Sequence, residues 1–337
     1  MDLNYTDEQQ LLIPSVRSMV TRYRDPPPDC RRSYSYYAWD LDAELESAGF
    51  LDAATMAGMG PLEAVLVIEE VCGATGAVEV GASTLVRPHL AYDLPRPIAL
   101  ISDVRKAQRF LQQARSALVL VGDEVAVLDM SEHAVEAVES IFAYPYGRFV
   151  SPPDLSNAPR LAAGSAEKML QWWRVSIAAE CAGLMRQAVD FTVQYVKERH
   201  VFGHPLGTFQ AIQHRLAQCH QVAVGLNYIT MKAAWSGSPV DANMACCYAQ
   251  QHSQKLVFDL HQFNGGMGVT NEHKLHFWTY RIRALQGEAG GQKASAKAAA
   301  SQCWIESPIA PQDERLRAIR RQDSVSSARV KQKINSL

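Results

Sequence analysis

The sequence predicts a mostly α-helical chain interrupted by one small β section, and three observations carry that expectation. Apolar residues recur every third or fourth position over long stretches of both halves. A proline-rich linker at 87–97 is followed by short apolar runs of β character. Beyond residue 163, three long amphipathic stretches follow one another between glycine and proline breaks. A chain of 337 residues, 47% hydrophobic and 20% charged, can bury a large core, which excludes a disordered polyelectrolyte or a low-complexity chain.

The first section, 1–92, reads as helical. Thr6 with Gln9 three residues on matches a capping box, and Leu11, Leu12, Val16 and Val20 continue an apolar face until Pro26 to Pro28 end it. Further helices are expected around Asp40 to Ala48 and Pro61 to Val71. The second section, 93–160, carries a short strand at Ile98 to Ile101. Two more, Ala117 to Val121 and Val125 to Asp129, flank Gly122-Asp123-Glu124 as a three-residue hairpin loop. Tyr144 to Pro159 reads as an extended connection.

The third section, 161–305, reads as a helical bundle of the four-helix type. Ile177, Cys181, Leu184, Ala188, Phe191 and Tyr195 line one helix; Ile212, Leu216, Cys219, Ala223 and Leu226 a second; Cys246, Ala249, Ser253, Leu256, Leu260 and Phe263 a third. The breaks fall at Phe202-Gly203-His204-Pro205, at Ser236 to Pro239 and at Gly265-Gly266. A last section, 306–337, is a basic tail carrying Arg315, Arg317, Arg320, Arg321, Arg329, Lys331 and Lys333, and reads as a solvated extension.

Charge narrows the partners. With 33 Lys and Arg against 35 Asp and Glu, the net charge is -2 and no whole-molecule field draws the chain onto nucleic acid or an anionic membrane. The polar, acidic start and the lack of a long apolar stretch lead to the expectation of a cytoplasmic protein. Seven cysteines without CxxC spacing read as reduced core thiols. No metal site is expected: His200 and His204 have a helical ligand spacing, but Gly203 and Pro205 exclude a helix there.

Two stretches carry more. Tyr195-Val-Lys-Glu-Arg199-His-Val-Phe202-Gly203-His-Pro-Leu-Gly-Thr-Phe-Gln210 precedes Ala211-Ile-Gln-His-Arg-Leu216-Ala217, and Gln262-Phe-Asn-Gly265-Gly266-Met-Gly268-Val-Thr270 precedes Glu272. Taken alone, Arg199 is a surface charge and Gly265-Gly266 a helix cap. Together, and with Tyr5-Thr-Asp-Glu-Gln9, the Leu45 to Phe50 stretch and Arg174 to Gly183, they resemble the acyl-CoA dehydrogenase family over nearly the whole chain. The likeness is strongest over 170–290 and weakest over 93–160.

The resemblance implies an N-terminal helical domain, a reduced middle β-domain and a C-terminal bundle, with FAD lying across a subunit interface. In that family the ADP end of each FAD rests on the neighbour's bundle. By likeness Arg199 would neutralise the pyrophosphate, Phe202 and Gln210 would pack on the nucleotide, and Gln262 with Gly265 and Gly266 would complete the pocket. A guanidinium suits phosphate because its fork donates several hydrogen bonds at fixed charge. Glycines let backbone amides approach where a Cβ would intrude.

The departures are as informative. Removing the α-proton of an acyl thioester, while flavin takes the hydride, needs a carboxylate beside the substrate. The family's two positions for it correspond here to Ala289 and Trp173, so no catalytic residue is assigned. Glu288, one residue from the first position, is the fallback; Glu180 and Glu272 read as structural. Between Asp93 and Gly164 there is neither Trp nor Thr, whereas the family cradles its flavin with both.

A kept ADP half-site and a lost flavin half-site are similar to the shortened subunit of α2β2 acyl-CoA dehydrogenases of bacterial steroid side-chain degradation. That likeness implies a full-length acyl-CoA dehydrogenase subunit as partner, supplying flavin site, substrate pocket and base. The alternatives are an active homotetramer using Glu288 and a flavin-free structural or regulatory subunit.

Overall fold

The computed structural model describes residues 4–27, 34–90 and 93–304. The chain divides into two units, 1–299 and 300–337. Of the second only the end of one helix is described, so the basic tail expected at 306–337, like Pro28 and Cys30, lies outside the described residues.

Helix α1 (Asp7–Thr21) starts as its sequence requires. Thr6 Oγ1 accepts the Gln9 amide at 3.3 Å and Gln9 Oε1 accepts the Thr6 amide at 3.1 Å, so two otherwise orphan donors are satisfied. It ends at Thr21, before the prolines reach it. Helix α2 (Trp39–Ser47) is followed by α3 (Pro61–Val71), which opens with proline in its first turn and is buried from Ala64 onward. Arg17 of α1 grips Glu70 of α3 through two hydrogen bonds of 3.0 and 2.9 Å.

A π-helical turn, Ala82–Val86, runs into the one-turn α4 (Arg87–Leu90); no sequence signal announced it. Buried Glu79 fastens this turn to the start of the first strand. Its carboxylate accepts the Ala82 and Ser83 amides at 2.9 and 3.1 Å and the Ile98 amide at 3.0 Å.

The middle section holds two three-stranded sheets. In the first, β1 (Ile98–Ile101) pairs parallel to β3 (Ser116–Val121), which pairs antiparallel to β4 (Glu124–Asp129). Val121 faces Glu124, so the hairpin loop is the two residues Gly122-Asp123 rather than the expected three. Gly122 supplies the positive φ, +64°, that so tight a turn demands. The second sheet, β2 (Gln108–Arg109), β6 (Tyr146–Phe149) and β5 (Val135–Val138), was not expected, and β6 lies inside the stretch read as a plain connection. These strands are only two to four residues long and β5 is half exposed, too little for a hydrophobic period to register. Side chains alternate across the first sheet: Ile98, Leu118 and Val125 join the main helical core. Ala99, Ala117, Val119 and Ala126 join a smaller core with Leu111 and Phe149.

The bundle is built on α5 (Ser165–Glu198), 34 residues long, with α6 (Gln210–Ser236), α7 (Pro239–Asn264) and α8 (Leu275–Leu285) packed on it. Gly237, φ +59°, caps α6, and Ser238 with Pro239 opens α7. α5 stops at Glu198, earlier than the sequence break suggested. The interval forms a hairpin, β7 (His200–Val201) and β8 (His204–Pro205), with Phe202 and Gly203 at its tip. A final helix, α9 (Gly291–Trp304), leads out of the first unit. Gly183 of α5 lies directly on α3, where a Cβ would come within 2.3 Å of the Glu69 carbonyl oxygen.

Candidate functional site

The two positions at which a catalytic carboxylate was sought come together in space. Trp173 of α5 and Glu288, beside Ala289, border one cavity, walled also by the Gly81-Ala82 stretch, by Ile98 and Leu100 of β1, by Arg109 and Phe110, and by Ser176 and Glu180. The cavity measures about 20 Å³. One water fills such a space; an acyl chain does not fit.

Side chains have taken the room. Trp173 is 1% exposed. The Arg109 guanidinium meets Glu180 through Nη1 at 2.5 Å and Nη2 at 3.2 Å, and its Nε lies 3.7 Å from Glu288 Oε1. Tyr144 donates its hydroxyl to Glu180 Oε2 at 2.9 Å, and its ring lies 4.6 Å beneath the guanidinium. Burial disfavours charge on Arg109, yet Glu180 and then Glu288 more than offset it, so its pKa stands well above the ordinary value. Burial raises the Glu288 pKa, and the facing Arg109 only partly opposes that. The Trp173 indole N–H faces this carboxyl without closing a hydrogen bond.

The loop holding Glu288 is fixed as well. Gln250 of α7 donates from Nε2 to the Leu285 and Glu288 carbonyls at 2.9 and 3.0 Å, and Ala289 is buried in a left-handed conformation, φ +50°. The Glu288 carboxylate borders the cavity, but it faces a guanidinium rather than an open pocket. Sequence reasoning missed Arg109 and Tyr144; an arginine in a two-residue strand carries no pattern. Glu180, read as structural, is the centre of the network, and Glu272 is exposed.

The residues assigned to the nucleotide gather elsewhere. α5, α6 and α7 alternate in direction, so the end of α5, the start of α6 and the end of α7 share one end of the bundle. Asn264 ties α7 to Thr192 of α5 at 3.0 Å, and Arg215 of α6 pairs with Asp259 of α7. At this end Arg199, Phe202, Gln210, Gln262, Gly265 and Gly266 are all exposed. Arg199 caps α5, its amide bonded to the Tyr195 carbonyl at 2.8 Å, and its guanidinium makes no ion pair among the described residues. Phe202 is 90% exposed and holds φ +54°, a strained conformation for an aromatic residue at a hairpin tip. A Cβ on Gly265 or Gly266 would meet nothing within 4 Å, so the backbone there is open to a ligand.

Along α5, 25 residues separate Trp173 from the helix end at Glu198, about 38 Å at 1.5 Å per residue. One flavin dinucleotide cannot touch both places on a single chain. The exposed guanidinium and open glycine pair suit the ADP end of FAD; the filled cavity does not suit its flavin end.

Comparison with known proteins agrees with this architecture. The acyl-CoA dehydrogenase C-terminal domain matches residues 163–299. The acyl-CoA dehydrogenase IpdE2 of Mycobacterium tuberculosis is 25% identical over 330 residues, covering 90% of this chain and 99% of the relative. Among solved structures, the ChsE4-ChsE5 complex from Mycobacterium tuberculosis superposes with a TM-score of 0.74 at 19% identity, over 92% of this chain and 100% of that one. The Tcur3481-Tcur3483 steroid ACAD does so at 0.74 and 21% identity, over 88% and 97%. With bundle, middle sheets and N-terminal helices all in the expected order, residues 163–299 match the acyl-CoA dehydrogenase C-terminal domain and the chain has the acyl-CoA dehydrogenase fold.

Proposed function

We propose that this chain is the non-catalytic subunit of a mixed α2β2 acyl-CoA dehydrogenase. It supplies the ADP-binding half of an FAD site whose flavin platform, substrate pocket and base belong to a full-length partner. The observation that carries this reading is the cavity of about 20 Å³ closed by Trp173, Arg109, Glu180 and Glu288, where a dehydrogenase needs room for a thioester. The exposed Arg199, Phe202, Gln210, Gln262, Gly265 and Gly266 at the far end of α5 support it from the other side.

When bound, FAD supplies the hydride-accepting chemistry. The task of this chain is confined to holding phosphate charge and presenting backbone amides. A bulky, steroid-type acyl-CoA is the substrate class this reading assigns to the complex, because structural neighbours include the ChsE4-ChsE5 complex and a steroid ACAD.

The test is to purify the chain alone and co-expressed with a full-length acyl-CoA dehydrogenase, reading flavin absorbance and native mass. Flavin only in the mixed complex, at half the site count of a homotetramer, is the expected result. Flavin bound stoichiometrically by the chain alone would overturn it. One observation favours a second reading, an active homotetramer: the Glu288 carboxyl does enter the cavity beside Trp173. That reading requires Arg109 to leave the carboxylate and predicts loss of activity in Glu288→Gln.

A further inference from the structure

The end of α7, the segment after it and the start of α8 carry a group of histidines, His261, His273 and His276, that the proposed nucleotide contacts do not use. The segment 265–274 leaves α7, folds back and enters α8. Gly268 is pressed onto α7, where a Cβ would sit 2.8 Å from the Asn264 Cβ. His273, 8% exposed, docks the far end of the segment on α5: its ring lies edge-on to Phe191 at 4.9 Å and to Tyr195 at 5.3 Å. The Tyr195 carbonyl in turn accepts the amide of Arg199. Both ring nitrogens of His273 are buried without a hydrogen-bond partner among the described residues, and so is Nε2 of the neighbouring His276.

The described residues around His273 offer an imidazolium no counter-charge. The titratable groups around His273 are Tyr195 on α5, His261 on α7 and His276 on α8. Arg281 acts on His276 with the same sign, and the rings of Tyr34 and Tyr280 flank His276 at 5.6 and 6.0 Å. Glu272 is exposed, and Lys274 is held by Asp25. Burial first, then His276 and His261, lowers the His273 pKa, and no carboxylate among the described residues acts on it. Among the described residues a proton added here has neither acceptor nor counter-charge, so the ring must leave its slot to be solvated.

We propose that His273 is the positioning residue that pins segment 265–274 to α5, and that its protonation undocks the segment and loosens the nucleotide end. The nucleotide half of this statement rests on the function proposed above; the undocking does not.

The experiment uses the mixed complex, with and without FAD, at pH 7.5 and 5.5. Amide hydrogen exchange over 265–274, corrected for intrinsic exchange, reports docking. In wild type, protection falls about tenfold between the two values, following a group that protonates below its ordinary range. In His273→Phe, which keeps the ring and removes the titration, it changes less than about twofold by the same argument. Unchanged protection in wild type, or a His273→Phe profile that tracks wild type, overturns the proposal. Flavin fluorescence reports the coupling: wild type releases FAD at pH 5.5 and His273→Phe retains it. Retention in wild type despite undocking overturns the link to the nucleotide. Arg199→Ala at pH 7.5 separates the two ideas: if it holds FAD as wild type does, the nucleotide assignment fails, and the exchange arm still judges His273.

Discussion

Arg109 and Glu180 form a buried, two-pronged ion pair between the second strand and the middle of the longest helix, with side chains 8% and 4% exposed. It spans 71 residues of sequence and closes the cavity that a dehydrogenase keeps open. Removing one partner leaves the other charged and desolvated. Arg109→Leu is expected to cost about 3–5 kcal/mol in urea unfolding. Arg109→Met combined with Glu180→Gln is expected to recover more than half of that. A single substitution costing under about 1 kcal/mol, the range of an exposed pair, would contradict the burial.

Trp173→Ala removes the indole from the same space. The expected loss is about 3–5 kcal/mol of stability, the usual consequence of an emptied aromatic site. The proposed function, in which the partner binds the substrate, predicts that turnover by the mixed complex stays close to wild type. Assays of both quantities on one preparation separate this outcome from one in which the cavity takes part in catalysis.

Arg199→Ala is expected to lower FAD affinity of the mixed complex by about 10- to 100-fold, the worth of one charge-assisted contact of about 1.5–3 kcal/mol. Equilibrium dialysis with the apo-complex measures it. In contrast, Glu288→Gln should leave turnover unchanged.

Glu69 introduces a pH dependence of the opposite sense to ordinary acid denaturation. It is buried where α3 meets α5 and α6, with Asn227 donating to Oε2 at 2.7 Å and Oε1 unpartnered. Burial raises its pKa to about 7. The folded state therefore holds this proton more firmly than the unfolded chain. Its contribution is fully present below the unfolded carboxyl value and is lost as pH rises through about 7. Glu69→Gln should be more stable than wild type at pH 8, by on the order of 3 kcal/mol, and closely matched at pH 4. Denaturation midpoints of the pair across that range decide it.

Gly183→Ala places a methyl group against the Glu69 carbonyl, 2.3 Å away before any relaxation. Backbone cannot give way as a side-chain end can, so a loss at the upper end of about 1–3 kcal/mol is expected. Differential scanning calorimetry reads it as a lowered Tm.

The elements legible in the sequence were those with long or local signals. Thr6 with Gln9, and the Gly237-Ser238-Pro239 break, are local codes satisfied by neighbours, and both appear as read. α5, α6 and α7 repeat their apolar period many times, so their existence was plain, though α5 ends before the Phe202-Gly203 break. β2, β5 and β6 gave no period because they are too short. The exposed Arg199 and glycine pair stood out only through the family resemblance of the stretches that carry them. The cavity did not, because Arg109, Tyr144, Glu180 and Glu288 meet only after the chain has folded over 36 and more positions. A buried pair with so large a loop between its members leaves no mark on either local stretch.

Trp173 also alters what occupancy means for this pocket. A soluble ligand fills a site according to its concentration and leaves at a finite rate. A side chain fixed to α5 has an effective concentration set by geometry alone, as with any tethered binder. The indole is in effect a permanently bound inhibitor whose dissociation requires local unfolding of the core. On the function proposed above, no rise in acyl thioester displaces it by competition, and the pocket takes no part in turnover at any substrate level.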